Sequence, residues 1–309
     1  MSAKPITIMG IFAVDLAFHT KYLPTSGETV LGSSFRLGPG GKGSNQAVAA
    51  ARLGGRIYFI TKVGKDTFGE LAHKTYAQEG INTDFVIASE EYSTGAAAII
   101  VEEGTGENAI IVSPGAANAL EFEEIERAKT RIAESAVFMT QLELPISTVE
   151  FGLRVARELG VPTILNPAPA LPLSGAIFAL CDYMTPNESE AQALTERSVT
   201  TIEEADGAAA ALLERGVKNV VLTLGARGAF VKNARVTQHI PAYNAGQTLE
   251  TTGAGDAFNG GFAIGLSEGM DLISAARFGC AVAGISVTRH GTASSMPRRS
   301  EVDALMAVR

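Results

Sequence analysis

Apolar runs of strand length alternate with helical patterns along most of this chain, and this alternation limits the folds that it can adopt. We predict strands at 6–9, 57–63, 136–140, 163–165, 182–184 and 219–224, and helices at 44–53, 68–79, 122–133, 149–159 and 203–215. Strands that alternate with helices of about 10–15 residues are typical of a parallel sheet covered on both faces. We therefore expect an α/β fold with a three-layer α/β/α core.

One segment interrupts this alternation. Residues 94–101 and 109–113 predict short strands joined by a turn at 103–108, and strand-like residues at 29–37 could pair with this hairpin. We expect these segments to form a small β-sheet inserted into the core. A second hairpin is predicted at 229–240.

Composition and charge exclude several classes of protein. The 309 residues are 46% hydrophobic and 19% charged, which is typical of a globular protein, and the net charge of −8 disfavours a general nucleic-acid or anionic membrane surface. No apolar stretch approaches the ~18 residues of a membrane span, and the N-terminus lacks a signal-peptide pattern. Cys181 and Cys280 lack disulfide or zinc spacing. We expect a cytoplasmic protein that binds neither nucleic acid nor a membrane.

The strongest local motif is TTGAGDAFNGGF at 251–262, in which Gly253, Ala254 and Gly255 precede Asp256 and an apolar helical run. A helix N-terminus has unpaired N–H groups that attract anions, and small residues let a phosphate approach the backbone. A carboxylate there could take a proton from an attacking hydroxyl while the N–H groups stabilise the transferring group. The alternative is that Asp256 only caps the helix, and the motif alone does not decide between the two.

A second glycine-rich motif, GPGGKGSNQAVAAA at 38–51, also leads into a helix. It contains the G-x-G-x-x-G spacing of dinucleotide sites, but that fingerprint should directly follow the first strand, and roughly 30 residues intervene here. A Walker A loop is excluded because Gly43, not Ser or Thr, follows Lys42. Lys42 and Asn45 could present donors to a polyhydroxyl or phosphate ligand, or the lysine could simply be solvated in a loop.

In TPNESEAQAL at 185–194, Asn187 and Glu190 lie three residues apart at the start of a predicted helix. They could hold hydrated Mg²⁺, although the sequence alone favours a capping pair. Further polar or glycine candidates follow predicted strands, where α/β folds place ligands: Asp15, Glu143, Asn166, Thr223, Gly225 and Gly228.

Taken in order, seven blocks resemble the ribokinase branch of the ribokinase/fructokinase-like carbohydrate kinase family, over residues 6 to about 305. The blocks are Asp15, GGKGSNQA, QLE at 141–143, NPAPA, TPNESEA, TLGARG and GAGDAFNG. The resemblance implies an ATP-dependent sugar kinase with a ribokinase-like core and a small β-sheet lid over the sugar. It assigns the lid to strands inserted at about 16–38 and 94–113, and it implies a homodimer formed through the lid.

The resemblance also implies functions for individual residues. Asp256 is the catalytic base, and the anion hole is formed by Gly253, Ala254 and Gly255. The sugar site comprises Asp15, Gly41, Lys42, Asn45 and Glu143. The phosphate and Mg²⁺ positions are Asn187 and, through water, Glu190, while the nucleotide site includes Thr223, Gly225 and Gly228. The resemblance also implies a site for a monovalent cation, K⁺ in the family, formed by Glu250, Thr252, Ser286, Arg289, Gly291 and Ser295.

Two positions depart from the family pattern. Ala13 stands where ribokinases usually have Asn, and losing a polar side chain weakens discrimination between ring hydroxyls. This makes 2-deoxyribose the main rival of ribose, with another furanose or a nucleoside as further alternatives. Glu250 replaces the usual cation-binding Asp, and its extra methylene predicts weakened or altered K⁺ activation.

Two functions outside kinase chemistry are disfavoured by the motifs. A sugar or nucleotide sensor without turnover is disfavoured because Asp256 stands in an intact GAGD turn. An NAD-dependent oxidoreductase would rest only on the glycine spacing at 38–43, which is misplaced relative to the first strand.

Overall fold

The computed structural model describes residues 4–105 and 107–308. Within them the strands are β1 (Ile6–Met9), β2 (Ala13–Thr20), β3 (Ser34–Gly40), β4 (Ile57–Gly64), β5 (Val86–Ser89), β6 (Thr94–Glu102), β7 (Asn108–Gly115), β8 (Val137–Thr140), β9 (Thr163–Leu165), β10 (Tyr183–Met184), β11 (Asn219–Thr223), β12 (Ala229–Asn233) and β13 (Thr237–Ile240). The helices are α1 (Lys42–Arg52), α2 (Thr67–Glu79), α3 (Phe122–Arg127), α4 (Lys129–Glu134), α5 (Ile146–Glu158), α6 (Gly175–Ala179), α7 (Glu188–Thr195), α8 (Ile202–Glu214), α9 (Ala254–Ser267), α10 (Leu272–Ser286) and α11 (Arg299–Ala307).

The large sheet has the order β13-β12-β11-β10-β9-β8-β1-β4-β5. The pairings from β11 through β5 are parallel, and β12 and β13 add an antiparallel edge. All four residues of β1 and of β8 are buried, as expected for strands covered on both faces. The predicted α/β class, the six predicted core strands and the hairpin at 229–240 are confirmed.

Helices cover both faces of this sheet. Successive residues of a strand point to opposite faces, and in β8 Met139 belongs to one apolar cluster while Phe138 belongs to the other. The first cluster contains Phe262 of α9, and the second contains Leu153 of α5 and Leu212 of α8. The expected three-layer α/β/α core is therefore confirmed.

Helix α9 packs closely on α1 because both helices carry small residues where they meet. A Cβ added at Gly260 would lie 2.5 Å from Cβ of Ala49 and 3.0 Å from the backbone nitrogen of Ala50. Any larger residue would push the helices apart. The small residues of both glycine-led motifs thus set the distance between α1 and α9, whose first turns carry the candidate site.

The small sheet has the order β3-β2-β6-β7. The hairpin of β6 and β7 is confirmed, but the expected pairing of this hairpin with residues 29–37 is wrong, because β6 pairs in parallel with β2. Strand β3 instead joins the other edge of β2 and begins only at Ser34. Gly106, in the predicted turn at 103–108, lies outside the described residues.

The predicted helix at 122–133 is wrong, since the chain forms two short helices, α3 and α4. Ala128 ends the first, donating its N–H to the carbonyl of Ile125 at 3.0 Å. This tightened turn keeps Ile125, Ala128 and Ile132 all buried against the same cluster. The other predicted helices are confirmed, with shifted ends. In the described part of the chain, no helix has both the length and the apolar character needed to span a bilayer.

Candidate active site

The carboxylate of Asp256, in the first turn of α9, is held by two side chains of α1. Asn45 Nδ2 donates to Oδ2 and Gln46 Nε2 donates to Oδ1, each at 3.0 Å. Asp256 is only 6% exposed, and the helix N-cap is Gly253, whose φ of 82° favours glycine. The interpretation of Asp256 as a mere helix cap is therefore wrong, because its carboxylate is bound by another helix.

The turn before Asp256 presents backbone donors to open space. The first turn of a helix leaves N–H groups that the helix itself cannot pair. Ala254 N donates to Thr251 O at 3.1 Å, whereas Gly255 and Asp256 follow as the next two residues of that turn. A Cβ added at Gly255 would meet no atom within 4 Å. Open space therefore borders the start of α9 beside Gly255.

The start of α1 is fixed by close backbone contacts. Gly41 has a φ of 86°, and a Cβ there would lie 2.7 Å from the carbonyl oxygen of Ile11. The N–H of Lys42 donates to Oε2 of Glu143 at 2.8 Å, joining α1 to the segment that follows β8. Gly41, Lys42 and Glu143, all predicted for the sugar site, are thus brought together.

Lys42 lies among four acidic side chains. Burial acts to lower the pKa of its ammonium, but attraction from Asp256, Glu143, Glu190 and Asp15 outweighs it, and the pKa is raised. Burial is also the main reason that the pKa of Glu143 rises to about 7. Lys42 therefore stabilises the ionised form of several carboxylates that have little contact with water.

Asp15, at the base of the small sheet, belongs to the same cluster. Its pKa is raised, first by burial and then by the charges of Asp256 and Glu250, while a hydrogen bond from Thr292 opposes the shift. Thr292 Oγ1 is 3.0 Å from Oδ2 of Asp15 and 3.1 Å from the carbonyl oxygen of Pro39. This hydroxyl ties β2 and β3 to the loop that precedes α11.

Asn187 and Glu190 form the capping pair that the sequence favours. Asn187 accepts from the N–H of Glu190 at 2.8 Å, and Glu190 accepts from the N–H of Asn187 at 2.9 Å. Burial raises the pKa of Glu190 to about 7. Asn187 also forms a parallel bridge to Thr223, so the capping pair borders the end of β11.

A cleft of about 640 Å³ runs from Asn187 to the turn of α9. Among its lining residues are the predicted Asn187, Thr223, Gly225, Gly228, Ala254 and Gly255. The sequence analysis missed its opposite wall, which comprises the 242–248 loop and a face of α10 with Cys280, Ala283, Gly284 and Val287. The sequence did contain a signal for this wall, because small residues recur every three or four positions along that helix and so share one face.

The residues expected around a monovalent cation come together only in part. Glu250 Oε2 accepts from the N–H of Gly291 at 3.0 Å and lies 3.3 Å from Nδ1 of His290. The Arg289 side chain instead pairs with Glu301 of α11. The hydroxyls of Ser286 and Ser295 donate to main-chain carbonyls at 2.9 and 2.8 Å. In the residues described here, no three His, Cys, Asp or Glu side chains form a metal cluster.

Three side chains of the site escaped the sequence analysis as functional residues: Gln46, Gln141 and Thr292. Gln46 and Gln141 are at most 1% exposed. The signal was available for both, since a glutamine within a buried, Ala-rich helix face, or at the end of a buried strand, needs a polar partner. Thr292 carried no such signal, because its contact with Asp15 joins residues 277 positions apart.

The raised pKa of Glu143 predicts a dependence of stability on pH. Folded protein keeps a proton on Glu143 up to a pH of about 7, whereas the unfolded chain releases it near the ordinary value, so stability from this group falls as the pH rises through that range. The glutamine of Glu143→Gln cannot titrate. The free energy of unfolding of this variant, relative to that of the wild type, should therefore increase by on the order of 2 kcal/mol from about pH 5 to about pH 8. Urea unfolding measures this; Glu214→Gln, at an exposed glutamate, is the control. Parallel pH profiles for wild type and Glu143→Gln would contradict the assignment.

Comparison with known proteins agrees with this geometry. Residues 4–299 match the family described as pfkB family carbohydrate kinase. The chain is 40% identical to a ribokinase of Haemophilus influenzae over 96% of this chain and 97% of that protein, and 36% identical to a deoxyribokinase of Salmonella typhi over 94% and 95%. The solved structure of Arabidopsis thaliana ribokinase complexed with ribose and ATP superposes with a TM-score of 0.91 at 29% identity, covering 98% of this chain and 99% of that one. The resemblance noted in the sequence is confirmed, and the chain belongs to the pfkB family of carbohydrate kinases.

Proposed function

We propose that this protein is a cytoplasmic, ATP-dependent sugar kinase that phosphorylates the primary hydroxyl of a pentose, with D-ribose as the first candidate. The observation that carries the proposal is the buried carboxylate of Asp256, placed directly after the exposed turn at Gly255 that lines the cleft. The similarity to ribokinases along almost the whole chain supports the same reaction class.

The reaction follows from this placement. Asp256 takes the proton of the sugar hydroxyl, and the oxygen uses the freed electron pair to bond to the γ-phosphorus of ATP. The bond from that phosphorus to the β,γ-bridging oxygen breaks, and ADP leaves with its electron pair. The turn of Gly253, Ala254 and Gly255 forms the anion hole for the transferring group, and the N–H of Ala254 would exchange its partner Thr251 O for a phosphate oxygen.

The sugar is bound by the cluster of Asp15, Gly41, Lys42, Asn45 and Glu143. Asn45 supports this, because its Oδ1 is buried without a hydrogen-bond partner among the described residues. A buried acceptor of this kind is costly unless a ligand supplies the donor, and a sugar hydroxyl would do so. The small sheet, which carries Asp15, would act as the lid over the sugar.

The nucleotide occupies the cleft beside Thr223, Gly225 and Gly228, and Asn187 and Glu190 hold hydrated Mg²⁺ at its phosphate end. Each carboxylate oxygen of Glu190 accepts one hydrogen bond from Asn187, which leaves lone pairs for metal-bound water. When bound, Mg²⁺ neutralises charge on the phosphates.

2-Deoxyribose is the second candidate substrate. Ala13 is apolar and 2% exposed, and it lies two residues before Asp15 in β2. The similarity to a deoxyribokinase supports the same alternative. Other furanoses and nucleosides remain further candidates of the same class, whereas a sensor without turnover would leave the buried base unused.

Turnover tests the proposed function directly. Purified protein with Mg²⁺ and ATP should release ADP when ribose is added, and the ratio of kcat/KM for ribose and 2-deoxyribose should identify the preferred pentose. Asp256→Asn should lower kcat by about 10²- to 10⁴-fold, because the proton acceptor is lost. Nucleotide binding by the variant, measured by calorimetry, shows that the fold persists. Absence of turnover with every pentose, furanose and nucleoside tried would contradict the proposal.

A monovalent cation would bind near Glu250, Thr252, Ser286, Arg289, Gly291 and Ser295, but with little influence on activity. Oε2 of Glu250 already contacts the N–H of Gly291 and the ring of His290. Glu250 is therefore held against the loop that contains these two residues without a bound ion. We expect the same kcat in KCl and in NaCl at matched ionic strength. A kcat that depends strongly on K⁺ would contradict this expectation.

The lid sheet would also form a homodimer. Its face opposite Asp15 carries Phe18, Phe35 and Ile111, which are 43%, 51% and 73% exposed, and the two phenylalanine rings contact each other with centroids 4.7 Å apart and planes tilted by 35°. Sedimentation should report a dimer for the wild type and a monomer for Ile111→Asp, because a buried unpaired carboxylate opposes association. The control is Val308→Asp, at a residue that is 88% exposed outside this sheet. A monomeric wild type would disprove the interface.

A further inference from the structure

A chain of buried amide side chains connects three sequence motifs to the carboxylate of Asp256. Gln141 Nε2 donates to Oε1 of Gln46 at 2.7 Å, and Gln46 Nε2 donates to Oδ1 of Asn166 at 3.1 Å and to Oδ1 of Asp256 at 3.0 Å. Gln46 is fully buried, and Gln141 and Asn166 are 1% and 6% exposed. The motifs QLE, NPAPA and GGKGSNQA therefore meet at one carboxylate.

The direction of every amide in this chain is determined by one backbone carbonyl. Asn166 Nδ2 donates to the carbonyl oxygen of Thr185 at 3.0 Å, and a carbonyl can only accept. Oδ1 of Asn166 must then face Gln46, which turns the NH₂ group of Gln46 toward both Asn166 and Asp256. The oxygen of Gln46 is left facing the NH₂ group of Gln141. Flipping any one of these amides would set two donors or two acceptors against each other.

The two oxygens of Asp256 consequently differ. Oδ1 faces a donor that cannot turn away, so a proton placed on Oδ1 would meet the N–H of Gln46. Oδ2 faces Asn45, whose own Oδ1 has no hydrogen-bond partner in the described part of the protein. Asn45 lies outside the chain of amides, so the donor at Oδ2 is not fixed by Asn166 and Gln141 in the way that the Gln46 donor at Oδ1 is.

We propose that Gln46 is a positioning residue that reserves Oδ2 of Asp256 as the proton acceptor of the phosphoryl transfer, and that Gln141 and Asn166 hold Gln46 in place. This inference rests on the proposed kinase function. In the step, the proton of the sugar hydroxyl moves to Oδ2 while the hydroxyl oxygen bonds to phosphorus. The donor at Oδ1 keeps the carboxylate ionised before transfer and fixes the plane of the acceptor lone pair.

The electrostatic surroundings make this donor important. Burial raises the pKa of Asp256, and the charge of Lys42 and the hydrogen bonds from Asn45 and Gln46 counteract the rise. The other charged groups that act on Asp256 are acidic and disfavour its ionisation: Asp15, Glu143 and Glu190. Removing the Gln46 donor leaves one fewer group to stabilise the ionised base.

The test is Gln46→Met, which keeps the length of the side chain and removes its hydrogen bonds. We expect kcat to fall by about tenfold or more, and the acid limb of the kcat/KM profile to move about one pH unit higher. In an Asp256→Asn background, Gln46→Met should cause no further loss, because its effect passes through the carboxylate. Gln78→Met, at an exposed position of α2, is the control and should match the wild type.

Gln141→Met keeps the proposal testable if Gln46→Met fails to fold. It leaves the donor at Oδ1 in place but removes the hydrogen bond that holds Oε1 of Gln46, so the acid limb should shift in the same direction by less. Titration of the ¹³C-labelled aspartate carboxyl groups by NMR, with Asp256→Asn to assign the signal, reads the same effect without turnover. An unchanged Asp256 titration and acid limb in both variants would overturn the proposal. A wild type that phosphorylates no sugar would instead contradict the proposed function, and the titration would still decide the assignment of Gln46.

Discussion

The hydrogen bonds from α1 to Asp256 are the interaction on which the arrangement of the site depends. They require α1 and α9 to lie close together, and Gly260 permits this because a Cβ there would lie 2.5 Å from Cβ of Ala49. The packing of small residues therefore also fixes the position of the Asp256 carboxylate. A single larger residue at the contact would move the carboxylate as well as the helix.

Charge is the second constraint. The site gathers several buried carboxylates around Lys42, and water is too scarce there to compensate them. Such an arrangement costs stability in the free protein, which is common where a fold supports chemistry. Positive charge delivered with the ligands, as Mg²⁺ bound to phosphate, would relieve part of that cost.

The sequence predicted the parts of the fold that local patterns determine. Buried strands of the parallel sheet were located closely, because their continuous apolar runs are bounded by turn residues. The order of the small sheet was not predictable, since the pairing of β6 with β2 joins distant segments whose patterns fit either neighbour. The break at Ala128 was also hidden, because a tightened turn preserves the apolar periodicity. In the site, the glycine motifs identified the charged residues Lys42 and Asp256. Neutral amides such as Gln46 were not identified, because their hydrogen-bond partners lie far away along the chain.

The connections of the small sheet to the core are very short. Three residues separate the end of β1 at Met9 from the start of β2 at Ala13, and one residue separates the end of β3 at Gly40 from the start of α1 at Lys42. Asp15 and Lys42 lie beside these two connections, and β6 and β7 join the core through two more, after β5 and before residue 116. Because all four connections are short, a displacement of the small sheet would also displace Asp15 relative to Asp256, so the geometry of the carboxylate cluster depends on where the sheet lies.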